Sequence, residues 1–176
     1  MSKILESIRT IPNFPKKGIM FRDVTTLFSN PSTFKETIIQ MCSYWKYKNV
    51  TKIIGIEARG FIIGSCVSLE LELPFIPVRK KGKLPFATIE QSYKLEYGKA
   101  TIEIHSDALK PKDNVLIIDD LIATGGTALA AISLVKKLDA SISGCSFIID
   151  LPDLNGKKKI LDLGIEVQTL CEFSGH

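Results

Sequence analysis

The sequence predicts an α/β fold, with a mainly parallel central sheet flanked by helices and one inserted β-hairpin. Three observations predict it. Apolar β-prone runs at 51–56, 75–78, 115–119, 146–149 and 165–170 alternate with segments of helical period, the pattern of strand–helix units in a covered parallel sheet. The chain of 176 residues has the length of one ordinary domain, with no internal repeat, linker or low-complexity segment. Two β-prone stretches, 88–97 and 100–105, flank Tyr97-Gly98-Lys99, the signature of a hairpin.

Each element follows from local residue chemistry. Ile4, Leu5 and Ile8 suggest a short N-terminal helix, and Pro/Gly punctuation makes 11–18 an arm. Asn30-Pro31 supplies a cap residue and a proline at the first helical position. Phe34, Ile38, Cys42 and Trp45 then follow at helical spacing. A strand at 51–56 (TKIIGI) leads into a helix from Gly60 onward, and 75–78 is the next strand. After the hairpin and the strand 115–119, a helix over 127–138 presents Ala128, Ala131, Ile132, Val135 and Leu138 on one face. The expected organisation is a single domain over 1–176, with 1–18 as helix and arm and about 84–105 as the hairpin insertion.

Composition narrows the class. Hydrophobic residues make up 45% and charged residues 24% of the chain, values of a globular protein. No apolar run reaches membrane-span length, and 1–18 lacks the apolar core of a signal peptide. Cys42, Cys66, Cys145 and Cys171 are scattered, without CxxC spacing or a nearby histidine. They read as reduced apolar residues of a cytoplasmic protein, not as zinc ligands. His105 and His176 show no partner pattern. The net charge of +4 suits an anionic small substrate better than duplex DNA. Neither GxxxxGK[ST] nor GxGxxG is present, which weighs against nucleoside triphosphate and dinucleotide binding.

The stretch 115–127, VLIIDDLIATGGT, is the strongest chemical signal. A parallel sheet binds ligands beyond the carboxyl ends of its strands, where Asp119 and Asp120 are expected. Neighbouring side chains on a strand point to opposite faces, so the two acids read as partners for separate hydroxyls, not as a proton-sharing dyad. Residues 123–127 then enter a helix whose free N–H groups and dipole attract an anion. The glycines allow close backbone approach, and Thr124 and Thr127 add hydroxyl donors. These pieces describe a holder for a sugar phosphate. An acid that merely caps a helix is the common alternative for such a strand–turn–helix passage.

The whole string resembles the phosphoribosyl pyrophosphate (PRPP) motif of the type I phosphoribosyltransferases. FPKKGIMFRD (14–23), EARGF (57–61), PVRKKGKLP (77–85) and SYKLEYGKATIEI (92–104) narrow the resemblance to the adenine phosphoribosyltransferases and extend it over nearly the whole chain. The resemblance implies transfer of phosphoribose from PRPP to N9 of adenine, giving AMP and pyrophosphate. It also implies Mg²⁺ held mainly by PRPP, pyrophosphate and water with no direct protein ligand, a flexible hairpin hood, and a homodimer. No nucleic-acid or membrane partner is expected.

Residue by residue, the resemblance implies that Asp119, Asp120, Ala123, Thr124, Gly125, Gly126 and Thr127 bind PRPP. Arg59, Arg79 and Lys83 take its pyrophosphate, with Lys80 and Lys81 adding attraction for the polyanion. Glu96 is the acid/base group near adenine N7, and Tyr97 contacts substrate. Phe21 stacks on the purine, Met20 offers its backbone, Arg22 lies near it and Leu151 closes its other face. Glu57-Ala58 stands where some relatives have Asp-Ser. Taken without the resemblance, Glu96 reads as a solvated hairpin residue, Phe21 as core and the basic run as a surface face. Two other functions remain open: transfer to orotate, hypoxanthine or xanthine, and a PRPP-sensing regulator. The FRD and LEYGKA segments argue against the first. The short N-terminal arm, with no added DNA-binding domain, argues against the second.

Overall fold

In the computed structural model, described for residues 3–94 and 98–175, a seven-stranded sheet runs through the centre of the chain. Its strands, in order of position, are β5 (Thr88–Lys94), β6 (Lys99–His105), β4 (Phe75–Lys80), β3 (Lys52–Ile56), β7 (Asn114–Ile122), β8 (Ser141–Asp150) and β9 (Val167–Glu172). The block from β4 to β9 is parallel throughout. The β5–β6 hairpin joins β4 antiparallel through Arg79↔Glu103 and Lys80↔Ile102. The expected insertion is thus the edge of the main sheet, continuing its ladder.

The expected helix start at Asn30-Pro31 is present in α3 (Pro31–Trp45): the Asn30 side chain accepts from Thr33 N, and Pro31 opens the helix. With α1 (Lys3–Glu6), α2 (Thr25–Phe28) and α4 (Arg59–Leu71), it covers one face of the sheet. There Met41, Trp45, Ile63 and Val67 bury Ile53, Leu116, Ile118 and Ile148. The other face packs on α5 (Gly126–Lys137) and α6 (Gly156–Leu161) through Ala128, Ala131, Ile132, Val135 and Ile160, against Ile54, Ile117, Phe147 and Val167. Both faces are covered, which is why these strands read as continuous apolar runs and not as alternating ones.

Two expectations need correction. The arm expected over 11–18 begins inside a strand, β1 (Arg9–Pro12), which pairs antiparallel with β2 (Met20–Asp23) through Ile11↔Phe21 and Thr10↔Arg22. Each strand has only four residues, too few for a period-2 pattern to stand out. The strand read as 115–119 continues to Ile122, so Asp119 and Asp120 are not at its terminus. Pairing with the ten-residue β8 persists to Ile122↔Asp150, while pairing with β3 stops at Gly55↔Ile118. The acids therefore sit where one neighbouring strand has ended and the other carries on.

Candidate active site

A cavity of about 400 Å³ opens at this one-sided strand end. Its lining is the continuous run 119–128, together with Glu57, Ala58 and Arg59 from the β3–α4 turn, Lys80 at the end of β4, Tyr93 on β5 and Phe147 on β8. All seven residues of the acid pair and small-residue loop, Asp119, Asp120, Ala123, Thr124, Gly125, Gly126 and Thr127, stand on it with Arg59. Gly125 takes φ +80°, a left-handed conformation that strains any residue with a side chain, and so turns the chain from strand into α5.

The acids do not behave as two independent groups. Asp120 is buried and accepts from Arg59 Nε. Asp119 Oδ1 accepts from the amide of Asp120 at 2.9 Å. Burial, then the charge of Asp120, pushes the Asp119 carboxyl well above the usual range, against which Arg59 acts in the opposite sense. Alternation along β7 was expected to keep the pair apart; in a site this enclosed, the two charges interact despite it.

The basic strand end is sorted by alternation along β4. Lys80 shares the side of Ile76 and Val78, which pack on the α5 face, and it lines the cavity. Arg79 points the other way: its Nε donates to Glu57 Oε2 at 3.2 Å and its Nη1 to the Lys83 carbonyl at 3.0 Å. Neither Arg79 nor Lys83 is among the described residues that line the cavity. Glu57 also accepts from Lys80 N at 3.0 Å, and these bonds hold its carboxyl below the ordinary value against the opposing effect of burial. The Glu57–Ala58 peptide is cis. The loop after β4 is tied to β6, where the buried Glu103 accepts from Lys83 N at 2.9 Å and Leu84 N at 2.8 Å. Sequence reading missed Glu57 and Glu103 as anchors, and it gave Lys80 only a long-range role. The spacing Ile76-Val78-Lys80 was the available signal for Lys80.

None of the residues expected around the base is among the described residues that line this cavity. Phe21 is half-buried, edge-on to Phe14 with ring centroids 5.2 Å apart, and Met20 is exposed. Arg22 is held by other groups: Nη1 donates to Thr10 Oγ1 at 2.6 Å and Nη2 to Ser174 O at 3.1 Å, and its guanidinium lies 4.5 Å from the Phe173 ring centre. The Leu151 amide donates to Ile122 O at 3.0 Å, and Phe173 N donates to Asp150 O at 3.1 Å. The β1–β2 ribbon and the end of β8 thus meet through residues 173–174. Asp23, at the end of β2, is close enough for its charge to act on Arg59. Glu96 and Tyr97, the expected acid/base and substrate-contact residues, lie outside the described residues.

Comparison with known proteins finds relatives along nearly the whole chain. A family model described as phosphoribosyl transferase domain matches residues 26–169. The adenine phosphoribosyltransferase of Jannaschia sp. (strain CCS1) is 53% identical over 172 residues, spanning 98% of this chain and 96% of that protein. The crystal structure of adenine phosphoribosyltransferase from Rhodothermus marinus superposes with a TM-score of 0.90 at 45% identity, covering 97% of this chain and 96% of the other. The Saccharomyces cerevisiae adenine phosphoribosyltransferase, crystallised with D-2,5-dideoxy-2,5-imino-altritol 1,6-bisphosphate and adenine, gives a TM-score of 0.89 at 37% identity, covering 96% and 97%. With nearly its whole length matched and its acid pair, small-residue loop and arginine gathered on one cavity, the chain belongs to the phosphoribosyl transferase domain family, among the adenine phosphoribosyltransferases of purine salvage.

Proposed function

We infer that the enzyme takes up PRPP in the cavity beyond β7 and transfers its phosphoribosyl group to N9 of adenine from the side of the β1–β2 ribbon. The observation that carries this reading is the single surface formed by the acid pair, the loop 123–127, Arg59 and Lys80. One end of that surface is anionic and suits ribose hydroxyls. The loop presents free amides to a phosphate, and two cations on the cavity, Lys80 and the Asp120-paired Arg59, are available to a diphosphate.

In this reading Asp119 and Asp120 accept from the ribose hydroxyls, and Asp120 also orients Arg59 toward the diphosphate. Ala123, Thr124, Gly125, Gly126 and Thr127 hold the 5′-phosphate through amides and hydroxyls. Lys80 joins Arg59 at the diphosphate, with Arg79 and Lys83 shaping the loop behind it. Phe21 stacks on the base, Met20 and Leu151 border it, and Arg22 fixes the ribbon beside it. Adenine N9 forms its bond to the anomeric carbon as the bond to the diphosphate oxygen breaks; the bonding pair leaves on pyrophosphate and the N9 proton passes to solvent water. Glu96 shares a proton with N7 as this happens, and Tyr97 contacts the substrate. Charge that builds on the leaving group is stabilised by the cations Arg59, held by Asp120, and Lys80.

Among the described residues no group of three metal-ligating side chains is close enough to hold an ion. The carboxylates Asp119 and Asp120 on the cavity nonetheless suit a cation that arrives on the diphosphate. Magnesium carried in this way supplies further charge neutralisation at the leaving group. A homodimer belongs to the same reading, supported by Ile39 on α3 and Ile62 and Leu69 on α4, which leave apolar surface exposed. A cytoplasmic location is supported by four free cysteines. No described helix is long and apolar enough to cross a membrane.

The test is pyrophosphate release from PRPP with adenine, hypoxanthine, guanine or orotate as acceptor. Turnover with adenine at least about 100-fold above the others is expected, the discrimination available to a site that pairs with specific base groups. Comparable turnover of another base would favour the wider transferase reading. PRPP binding without turnover of any base would favour a sensor.

A further inference from the structure

The loop 123–127 has a second side, which faces α6. At Gly156, the first residue of that helix, the buried backbone N–H donates to the Ala123 carbonyl at 3.0 Å. One turn on, Lys159 Nζ donates to the Thr124 carbonyl at 2.8 Å. Lys159 does not line the substrate cavity. It lines a separate one of about 490 Å³, between β5 and α5, to which Thr124 and Gly126 also contribute. The contact at Gly156 is backbone to backbone: a Cβ there would stand 2.2 Å from Ala123 O and 2.7 Å from Gly125 N.

A trans peptide holds its C=O and N–H in opposite directions, and the Ala123–Thr124 and Thr124–Gly125 peptides are trans. With both carbonyls drawn toward α6, the amides of Thr124 and Gly125 turn to the opposite side. Among the described residues those amides have no acceptor. A hydrogen bond at a carbonyl also polarises the N–H of the same peptide and makes it a better donor.

We propose that Gly156 and Lys159 are positioning residues for the sugar-phosphate loop, pinning two of its carbonyls from behind and thereby aiming the Thr124 and Gly125 amides at the 5′-phosphate. The proposal rests on the reading of 123–127 as the 5′-phosphate holder. It adds that the grip on that phosphate is set by a helix that does not touch substrate.

The test compares Gly156→Ala, Lys159→Met, Lys159→Arg and Thr127→Ala. KM for PRPP and adenine, inhibition by ribose 5-phosphate and by pyrophosphate, and Tm are measured for each. Lys159→Met should weaken ribose 5-phosphate and PRPP about fivefold, the effect of one lost hydrogen bond. Gly156→Ala, at a backbone angle alanine accepts, should weaken them on the order of tenfold or more by displacing the loop. Pyrophosphate inhibition should stay within about twofold in both, and Lys159→Arg should restore most of the loss. If Gly156→Ala fails to fold, the exposed Lys159 still decides. Ribose 5-phosphate inhibition unchanged in Lys159→Met, or weakened no more than that of pyrophosphate, overturns the proposal. Thr127→Ala separates the two levels. If it weakens ribose 5-phosphate while Lys159→Met is silent, the positioning role falls and the loop assignment stands. If Thr127→Ala is silent as well, the loop assignment falls and the proposal with it.

Discussion

Arg59 Nε is hydrogen-bonded to the buried Asp120 carboxylate, joining the first turn of α4 to the acid pair on β7. In the proposed reading the bond gives Asp120 two tasks, holding ribose and aiming a cation. It also leaves Asp119 as the acid that carries the strain of like charge: burial and Asp120 both raise its pKa. Raised in this way, Asp119 ionises only once pH has climbed above the ordinary carboxylate value, and in the proposed reading the ionised form is the one that accepts from a ribose hydroxyl. Asp120→Asn is expected to lower kcat/KM for PRPP about 30-fold or more, the scale of a lost charge-assisted hydrogen bond. It also removes one cause of the Asp119 shift, so the acid limb of the kcat/KM profile should move to lower pH. A steady-state pH profile of wild type and variant checks both; an unmoved acid limb would show that Asp119 is not the titrating group.

Lys80 should matter more than Lys83, the reverse of the order implied by family resemblance. Lys80 lines the cavity, whereas Lys83 offers its carbonyl to Arg79 and its amide to Glu103. A backbone role survives truncation of the side chain. Lys80→Ala is expected to raise KM for PRPP about tenfold, and Lys83→Ala no more than about threefold. Product inhibition by pyrophosphate should weaken in parallel with the first variant only.

Asp23 is a stability determinant whose pH dependence has a definite sign. Arg9, bonded to it at 2.5 Å, and Thr25 hold its carboxyl down at about 2, from an ordinary 3.8. For a carboxyl depressed on folding, the stabilisation is fully present above the unfolded value and is lost as pH falls from 3.8 toward about 2. Allowing for the exposed Arg9, it amounts to about 1–2 kcal/mol. Asp23→Asn should therefore lower Tm at pH 7 by roughly 2–8 °C. In urea titrations the gap to wild type should close as pH is brought down to about 2; a gap independent of pH would assign the loss to packing.

Glu96 is expected to act mainly in the transition state. Glu96→Gln keeps size and hydrogen bonding but cannot exchange a proton, so kcat should drop on the order of 100-fold. KM for PRPP should move little. Steady-state AMP formation, with PRPP binding measured separately, provides the check. A kcat within about threefold of wild type would reduce Glu96 to a positioning residue.

Much of the site was legible before any fold was drawn. Asp119 through Thr127 could be read because a strand, a tight turn and a helix start are local events, each set by residues only a few positions apart. The capped start of α3 and the α5 face were legible for the same reason, as was the covered parallel sheet, whose strands are apolar on both sides. Only the tertiary structure decided which charges face one another. Glu57 meets Arg79, 22 positions apart; Arg59 meets Asp120, 61 apart; Arg22 meets Ser174, 152 apart. Such partners follow from strand order and register, and no short window of sequence contains them. Tertiary pairing likewise carried β7 past its acids, because β8 was long enough to keep bonding where β3 had ended.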